Sequence, residues 1–279
     1  MNATGIPEPR KSVPAPKPNY AGRIRQVALS PNVIRILAVA AFFAMWEYFG
    51  RRMDPIFMAP PSAIFDAAVQ LTESGALRKA MIESLGPFAA GMALTIVLGI
   101  AIGIAIAQWR LVEYICDPFI NALYAIPRIA LIPLIILWVG LEFTGKVAIL
   151  VSVAVFPIIV NTYAGIRDVR GSMIEIGRAY GATETQIFFK IVLPAAIPFI
   201  MAGVRLSVGL AIIGIIVAEF FTAISGLGGM IVEYSNLFAT AKLFVPIIVV
   251  ALVGVLLTEI VMWAERRLSR WRTLERERF

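Results

Sequence analysis

The sequence predicts an all-α membrane protein with six transmembrane helices. Three observations predict it: the balance of apolar to charged residues, the recurrence of long apolar segments, and the sidedness of the positive charge. Of 279 residues, 59% are hydrophobic and 15% charged, and mean hydropathy is +0.85. Soluble domains carry roughly 25% charged residues, so one water-bounded core cannot hide this much apolar surface.

Apolar segments fall at 33–50, 84–108, 117–140, 146–165, 196–222 and 243–264. Each is near or above the ~20 residues that span ~30 Å of hydrocarbon at 1.5 Å per residue. Lipid offers backbone groups no hydrogen-bond partner, so the segments must be helical. The third holds Pro118, Pro127 and Pro133, which predict a kinked helix or a short helix followed by a spanning one.

Six crossings leave both ends on one side. That side carries sixteen Lys and Arg residues, in the N-terminal tail, the loop at Arg110, the stretch 166–195 and the tail after Ala264. The other side carries six. The positive-inside rule then places both termini in the cytoplasm. The expected organisation is a flexible tail over 1–31, rich in proline, a transmembrane domain over 32–265 with a cytoplasmic loop at 166–195, and a basic tail over 266–279 suited to anionic headgroups through Arg266, Arg267, Arg270 and Arg272. The first apolar run has no small-residue cleavage site after it and reads as an uncleaved anchor.

Composition also excludes functions. One cysteine, Cys116, cannot build an intrachain disulfide, and the lack of histidine removes the usual metal-ligand patterns and His-based triads. The isoelectric point near 9.8 reflects tails and loops rather than a basic patch interleaved with aromatics, so no nucleic-acid role is expected. Gly140 to Val147 nearly spells a phosphate-binding loop, but Val147 supplies no hydroxyl for Mg²⁺ and no strand precedes it. The chain is expected to bind no cofactor of its own.

The loop 166–195 is the most informative stretch. Ser172 with Glu175 and Thr183 with Gln186 have capping-box spacing, and Gly181 stands where a helix end needs a left-handed residue. Pro194 either stops a second helix or opens the next. The expectation is two short helices joined at Gly181, with apolar positions at Ile174, Ala179, Tyr180, Ile187, Phe188, Ile191 and Val192. Such a pair could rest on the membrane or seat in a groove of a soluble partner.

Glu175, Gly181, Ile191, Leu193 and Pro194 resemble, at the same spacing, the E-A-A-x-x-x-G-x9-I-x-L-P loop of ABC importer permeases. Ile176 and Gly177 stand where the motif has two alanines, and the bulk of Ile176 is expected to adjust how the first helix packs. Over about 55–270, Pro60-Pro61-Ser62, Ile126 to Pro133, Gly203-Val204-Arg205, Ala218-Glu219, Ser225 to Gly228 and Glu265-Arg266 look like the branch importing nitrate, taurine and alkanesulfonates. The resemblance implies a type I importer (MetI-like) fold and a homodimer in a bacterial plasma membrane. It also implies two ATPase subunits that carry ATP and Mg²⁺, a solute-binding protein outside, and a coupling loop formed by Glu175, Gly177, Arg178, Gly181, Ala182, Thr183, Ile191, Leu193 and Pro194.

Ionisable and polar groups inside the spans are candidates for the solute path, since a charge at mid-bilayer costs about 2.5–3.5 kcal/mol on insertion scales. They are Arg128, Asn161, Arg205 and Glu219. Helix packing is an open alternative for Arg205 and Glu219, which lie too far apart along one helix to pair. Gly99 and Gly103 form a small-xxx-small pair, suited to packing within the subunit or to a dimer seam. An ion-coupled carrier using Glu219 or Glu259 is the rival reading, without the internal repeat many carriers show. A membrane-embedded enzyme is a second rival, without clustered carboxylates in the spans.

Overall fold

The computed structural model describes residues 31–222 and 225–268, with the side chains of six residues between 117 and 125 and of residue 222 left out. Most of the expected N-terminal tail, and Arg270 and Arg272 of the basic tail, lie outside the described residues. The helices are α1 (Pro31–Gly50), α2 (Pro61–Glu73), α3 (Ala76–Gln108), α4 (Arg110–Ala125), α5 (Ile132–Val139), α6 (Phe143–Arg167), α7 (Gly171–Ala179), α8 (Glu184–Ile187), α9 (Leu193–Thr222), α10 (Gly226–Asn236) and α11 (Thr240–Leu268). Five rods are long and apolar enough to cross a membrane: α1, α3, α6, the rod that contains α9, and α11.

The expected third span departs from a single helix. Ile126 precedes Pro127, and the proline ring drives it out of the helical region to φ −76°, ψ 131°. The chain then makes a 3₁₀ turn over Arg128–Leu131 before α5 begins. The two pieces still travel the full height of α6. Glu113 of α4 bonds Tyr163 and Arg167 at the C-terminal end of α6, Arg128 reaches Val153 midway, and Ile132 packs with Ile149. The third crossing is therefore built from two short helices, which preserves the count of six.

The sixth-power fall of dispersion with distance rewards close backbone approach where lipid competes for apolar contact. Helix α6 lies between α3 and α9 and makes its most extensive contacts with them. Their shared core includes Phe88, Met92, Leu150, Ala154, Ile158, Val204, Val208 and Ala211. At the α3–α6 contact a Cβ on Gly99 would sit 2.7 Å from Ile158, and one on Gly103 would sit 2.6 Å from Thr162. The small-xxx-small pair thus serves packing within the subunit. Helices α1 and α11 are the outer rods, with only 6% and 11% of their apolar windows buried within the chain.

Besides the pair in the 166–195 loop, two further helices among the described residues lie outside the expected spans, α2 and α10. Proline opens α2 at Pro61, and Ile64, Ala67 and Leu71 face a second core with Leu227, Met230 and Val245. Glu47 of α1 accepts from the Ser62 backbone and hydroxyl, and Trp46 Nε1 donates to the Ala59 carbonyl at 3.1 Å, tying α1 to this corner.

Helix α10 is held by a buried polar clamp. Glu219 is fully buried. Its carboxylate accepts from Ser84 Oγ at 2.8 Å, from the Gly228 N–H at 2.8 Å, and from Lys146 Nζ at 3.3 Å. Lys146 also donates to Ser225 Oγ at 2.8 Å, while the Leu227 N–H donates to Ser84 Oγ and the Gly226 N–H to Glu83. A carboxylate against the first amides of α10 meets the positive end of its dipole. Four helices, α3, α6, α9 and α10, are thereby joined at one end. Lys146, the lysine of the segment that nearly spells a phosphate-binding loop, has its ammonium committed here.

Removing one partner of such a pair strands the other charge in a dry site, at a loss of about 3–5 kcal/mol, whereas apolar replacement of both can be neutral. We expect Lys146→Met to lower the melting temperature in detergent sharply, and Lys146→Met with Glu219→Gln, which removes the stranded charge and keeps an acceptor for the Gly228 N–H, to recover much of the loss. Melting of Lys146→Met at the wild-type temperature would contradict the clamp.

Candidate functional site

At the end opposite the clamp, the chain leaves α6 and forms the expected pair of short helices. Helix α7 closes with the bond pattern of a Schellman motif: the Gly181 N–H bonds Arg178 O at 2.9 Å and the Ala182 N–H bonds Gly177 O at 3.1 Å. Gly181 has φ +75°, a backbone state open to glycine without a side-chain penalty. Thr183 then caps α8 in a reciprocal box with Gln186, at 3.0 and 3.3 Å. Arg178 Nε donates to Glu184 Oε1 at 3.0 Å across the turn, and that bond raises the guanidinium pKa.

Other details differ from expectation. Ser172 lies inside α7, whose N-cap is Arg170 with no side-chain cap, so the Ser172–Glu175 box does not form. Glu175 is exposed. Ile176 does not alter helix packing, because it points away from α8 and is 57% exposed. Met173 and Tyr180 lie with it at helical spacing, 48% and 88% exposed. The large open apolar side chains of α7 and its cap are therefore Met173, Ile176 and Tyr180; of the expected positions, Tyr180 and Ala179 are exposed and Ile174 is half-buried. The signal of the open three was present in their three- and four-residue spacing. Gly177 faces inward, where a Cβ would sit 2.8 Å from Ile191 and 3.2 Å from Ile187. That contact seats α7 on the second helix.

The second helix does not stop at Pro194: α9 opens at Leu193 with Pro194 in its first turn, one of the two expected alternatives, and runs on from α8. Pro194 has no N–H and its ring crowds the carbonyl of Lys190, four residues earlier. The chain accommodates it with a π turn over Phe188–Val192, then continues as α9. Residues Glu184–Phe221 form one rod of 38 residues. Leu193 and Pro194 are half-buried along it.

The solute-path candidates separate into distinct environments. Pro157 leaves Val153 O without its usual helical donor, and Arg128 Nη1 supplies one at 3.2 Å. The Arg128 guanidinium also lies 4.6 Å from the Phe156 ring centre. Asn161 turns back to Pro157 O at 2.8 Å, and Ser207 donates to Ala154 O at 2.6 Å. Arg128 and Asn161 thus each bond a backbone carbonyl of α6 close to Pro157, at Val153 and at Pro157 itself. Arg205 lies apart, paired with Glu265 of α11. Glu219 lies near the opposite end, in the clamp, and reaches no open surface of this chain. Ser84 and Ser207 were not singled out in the sequence, and Lys146 only within the rejected phosphate-loop pattern; a pairing across helices is what marks them.

Residues 95–273 match a family described as the binding-protein-dependent transport system inner membrane component. A Bacillus subtilis relative described as a putative aliphatic sulfonates transport permease protein, SsuC, is 34% identical over 239 residues, 85% of this chain and 87% of its own length. The formylaminopyrimidine transport permease protein ThiX of Halalkalibacterium halodurans is 32% identical, covering 88% and 96%. The taurine transport system permease protein TauC of Escherichia coli is 28% identical, covering 88% and 90%. Among solved structures, a chain of the inward-facing MetNI methionine ABC transporter aligns with a TM-score of 0.54 at 21% identity, over 70% of this chain and 94% of that one. A chain of an amino acid ABC transporter aligns at 0.56 with 17% identity, over 72% and 96%. With six crossings, a turn glycine in the left-handed region and a Leu-Pro seam running into α9, this chain belongs to the family of binding-protein-dependent transport permeases.

Proposed function

We propose that the chain is the membrane-spanning half of an ATP-driven importer for a small anion. In this reading it works as a homodimer with both termini cytoplasmic, two ABC ATPase subunits below and a solute-binding protein on the far side. ATP and Mg²⁺ belong to the ATPases, and this chain performs no hydrolysis. The observation that carries the reading is the exposed Met173–Ile176–Tyr180 face on a helix seated, through Gly177, against a rod that runs on into the core. A helix face of this kind suits a groove in a soluble partner.

The mechanism follows from the mechanical continuity. ATP draws the two ATPases together and carries the α7–α8 pair with them. The α8–α9 rod transmits that displacement to α6 and α3, turning the cavity from inward- to outward-facing. Substrate enters from the binding protein, and hydrolysis resets the rod. Glu175, Arg178, Gly181, Ala182 and Thr183 shape and present the pair, while Ile191, Leu193 and Pro194 join it to the span.

The substrate class rests on the relatives described as carrying aliphatic sulfonates and taurine. The similarity to a formylaminopyrimidine permease supports a second reading, an uncharged heterocycle.

Ile176→Glu should leave the purified permease monodisperse yet reduce ATPase association at least tenfold, about 1.4 kcal/mol, in a pull-down with the cognate subunit. Unchanged association and full uptake would remove the coupling assignment. In proteoliposomes with all cognate subunits, a radiolabelled sulfonate should accumulate with ATP. Accumulation of an aminopyrimidine in its place would overturn the anionic class, and uptake driven by an ion gradient alone would favour a secondary carrier.

A further inference from the structure

At the end that carries the clamp, two loops meet. Thr240 Oγ1 donates to Ile56 O at 2.5 Å, joining the 51–60 loop after α1 to the turn between α10 and α11. The turn closes α10 with the Phe238 N–H on Ser235 O at 3.1 Å and the Ala239 N–H on Tyr234 O at 2.9 Å. This is a Schellman pattern, and its left-handed position holds Phe238, at φ +54°. Glycine is the usual occupant, and a bulky residue there is disfavoured.

The strain is not offset inside the chain. Phe238 is 69% exposed, beside Leu237 at 65%, and Phe57 in the joined loop is 77% exposed. A conformational penalty borne to project an apolar ring outward points to a contact outside the chain. The position of the loops identifies what is there. They directly follow α1 and directly precede α11, the two rods least buried by the rest of the chain. Both rods are long and apolar enough to cross a membrane, so their ends, and the loops attached to them, emerge at the headgroup layer. Arg52, exposed and stacked 4.1 Å from the Tyr48 ring centre, adds a cation suited to phosphate headgroups.

We propose that Phe57 and Phe238 form an anchor in the surface layer of the bilayer, with their rings inserted at the boundary between headgroups and acyl chains. The anchor fixes the height of the corner from which α10 and α11 depart, and hence of the clamp that α10 completes. It depends on membrane insertion and not on which solute the protein carries.

The test uses the full-length protein with Cys116→Ser, labelled with nitroxide at Phe57→Cys or Phe238→Cys in phosphatidylethanolamine–phosphatidylglycerol nanodiscs. Both labels should collide with oxygen more readily than with a water-soluble nickel chelate, and should show a shallow immersion depth. Free access of the chelate to both labels would overturn the anchor. So would aqueous labels that become protected only when a solute-binding protein is added, which would make this corner a protein-docking surface. Phe238→Gly provides an independent check in detergent. Its melting temperature should rise, because strain is relieved and no internal contact is lost; a fall would mean that the ring packs within the chain and would reject the proposal.

Discussion

A carbonyl that loses its helical donor inside a bilayer cannot turn to water, and this constraint organises the centre of the molecule. Pro157 creates one such carbonyl, at Val153, halfway along the most enclosed rod. Arg128 supplies the missing donor. To do so it must stand at mid-height on a different crossing, and the break at Ile126–Pro127 puts it there. A continuous third helix would keep its own backbone bonds through this level and present Arg128 on a regular helical surface. The break, the kink and the arginine therefore form one arrangement.

Pro194 meets the same constraint differently. Here a π turn absorbs the lost bond within the chain, so the helix that leaves the α7–α8 pair continues into the span without interruption. At the far end of that rod, Glu219 sits in the clamp with Lys146, Ser84 and the first amides of α10. One rod thus connects an exposed apolar grip at one end to a polar lock at the other. Force applied at Gly177 and Ile176 has a covalent route to the clamp, and the glycine contacts of α3 with α6 spread it across the bundle.

Much of this was legible in the sequence, for reasons that differ by element. Long apolar runs have one stable form in lipid, so the rods followed from composition. Gly181 and the Thr183–Gln186 box are local signals, decided within four residues, and they held. The Ser172–Glu175 pair has the same spacing but lies two residues too far into its helix, because the N-cap of α7 is Arg170. Spacing alone cannot fix that register. Helices α2 and α10 were too short and too mixed to stand out among the spans, although Pro61 and the pattern Ile64, Ala67, Leu71 were available. The partners of Glu219 and Arg128 lie far away in sequence and were invisible until the rods were assembled. Ile176 looked like a packing problem because the motif alone does not say which side faces outward; Gly177, its neighbour, carries the contact.

The most direct test of the account is whether the rod stays rigid through the transport cycle. Nitroxide labels at Thr185 in α8 and Ile213 in α9, in a Cys116→Ser background, would lie about 40 Å apart along a helix. Pulsed electron–electron double resonance on the assembled transporter should give the same distance within one chain in the nucleotide-free and ATP-bound states. The distance between the Thr185 labels of the two copies should change. An intrachain distance that shifts as far as the distance between copies would show that the π turn bends as a hinge, and would contradict transmission through a single rod.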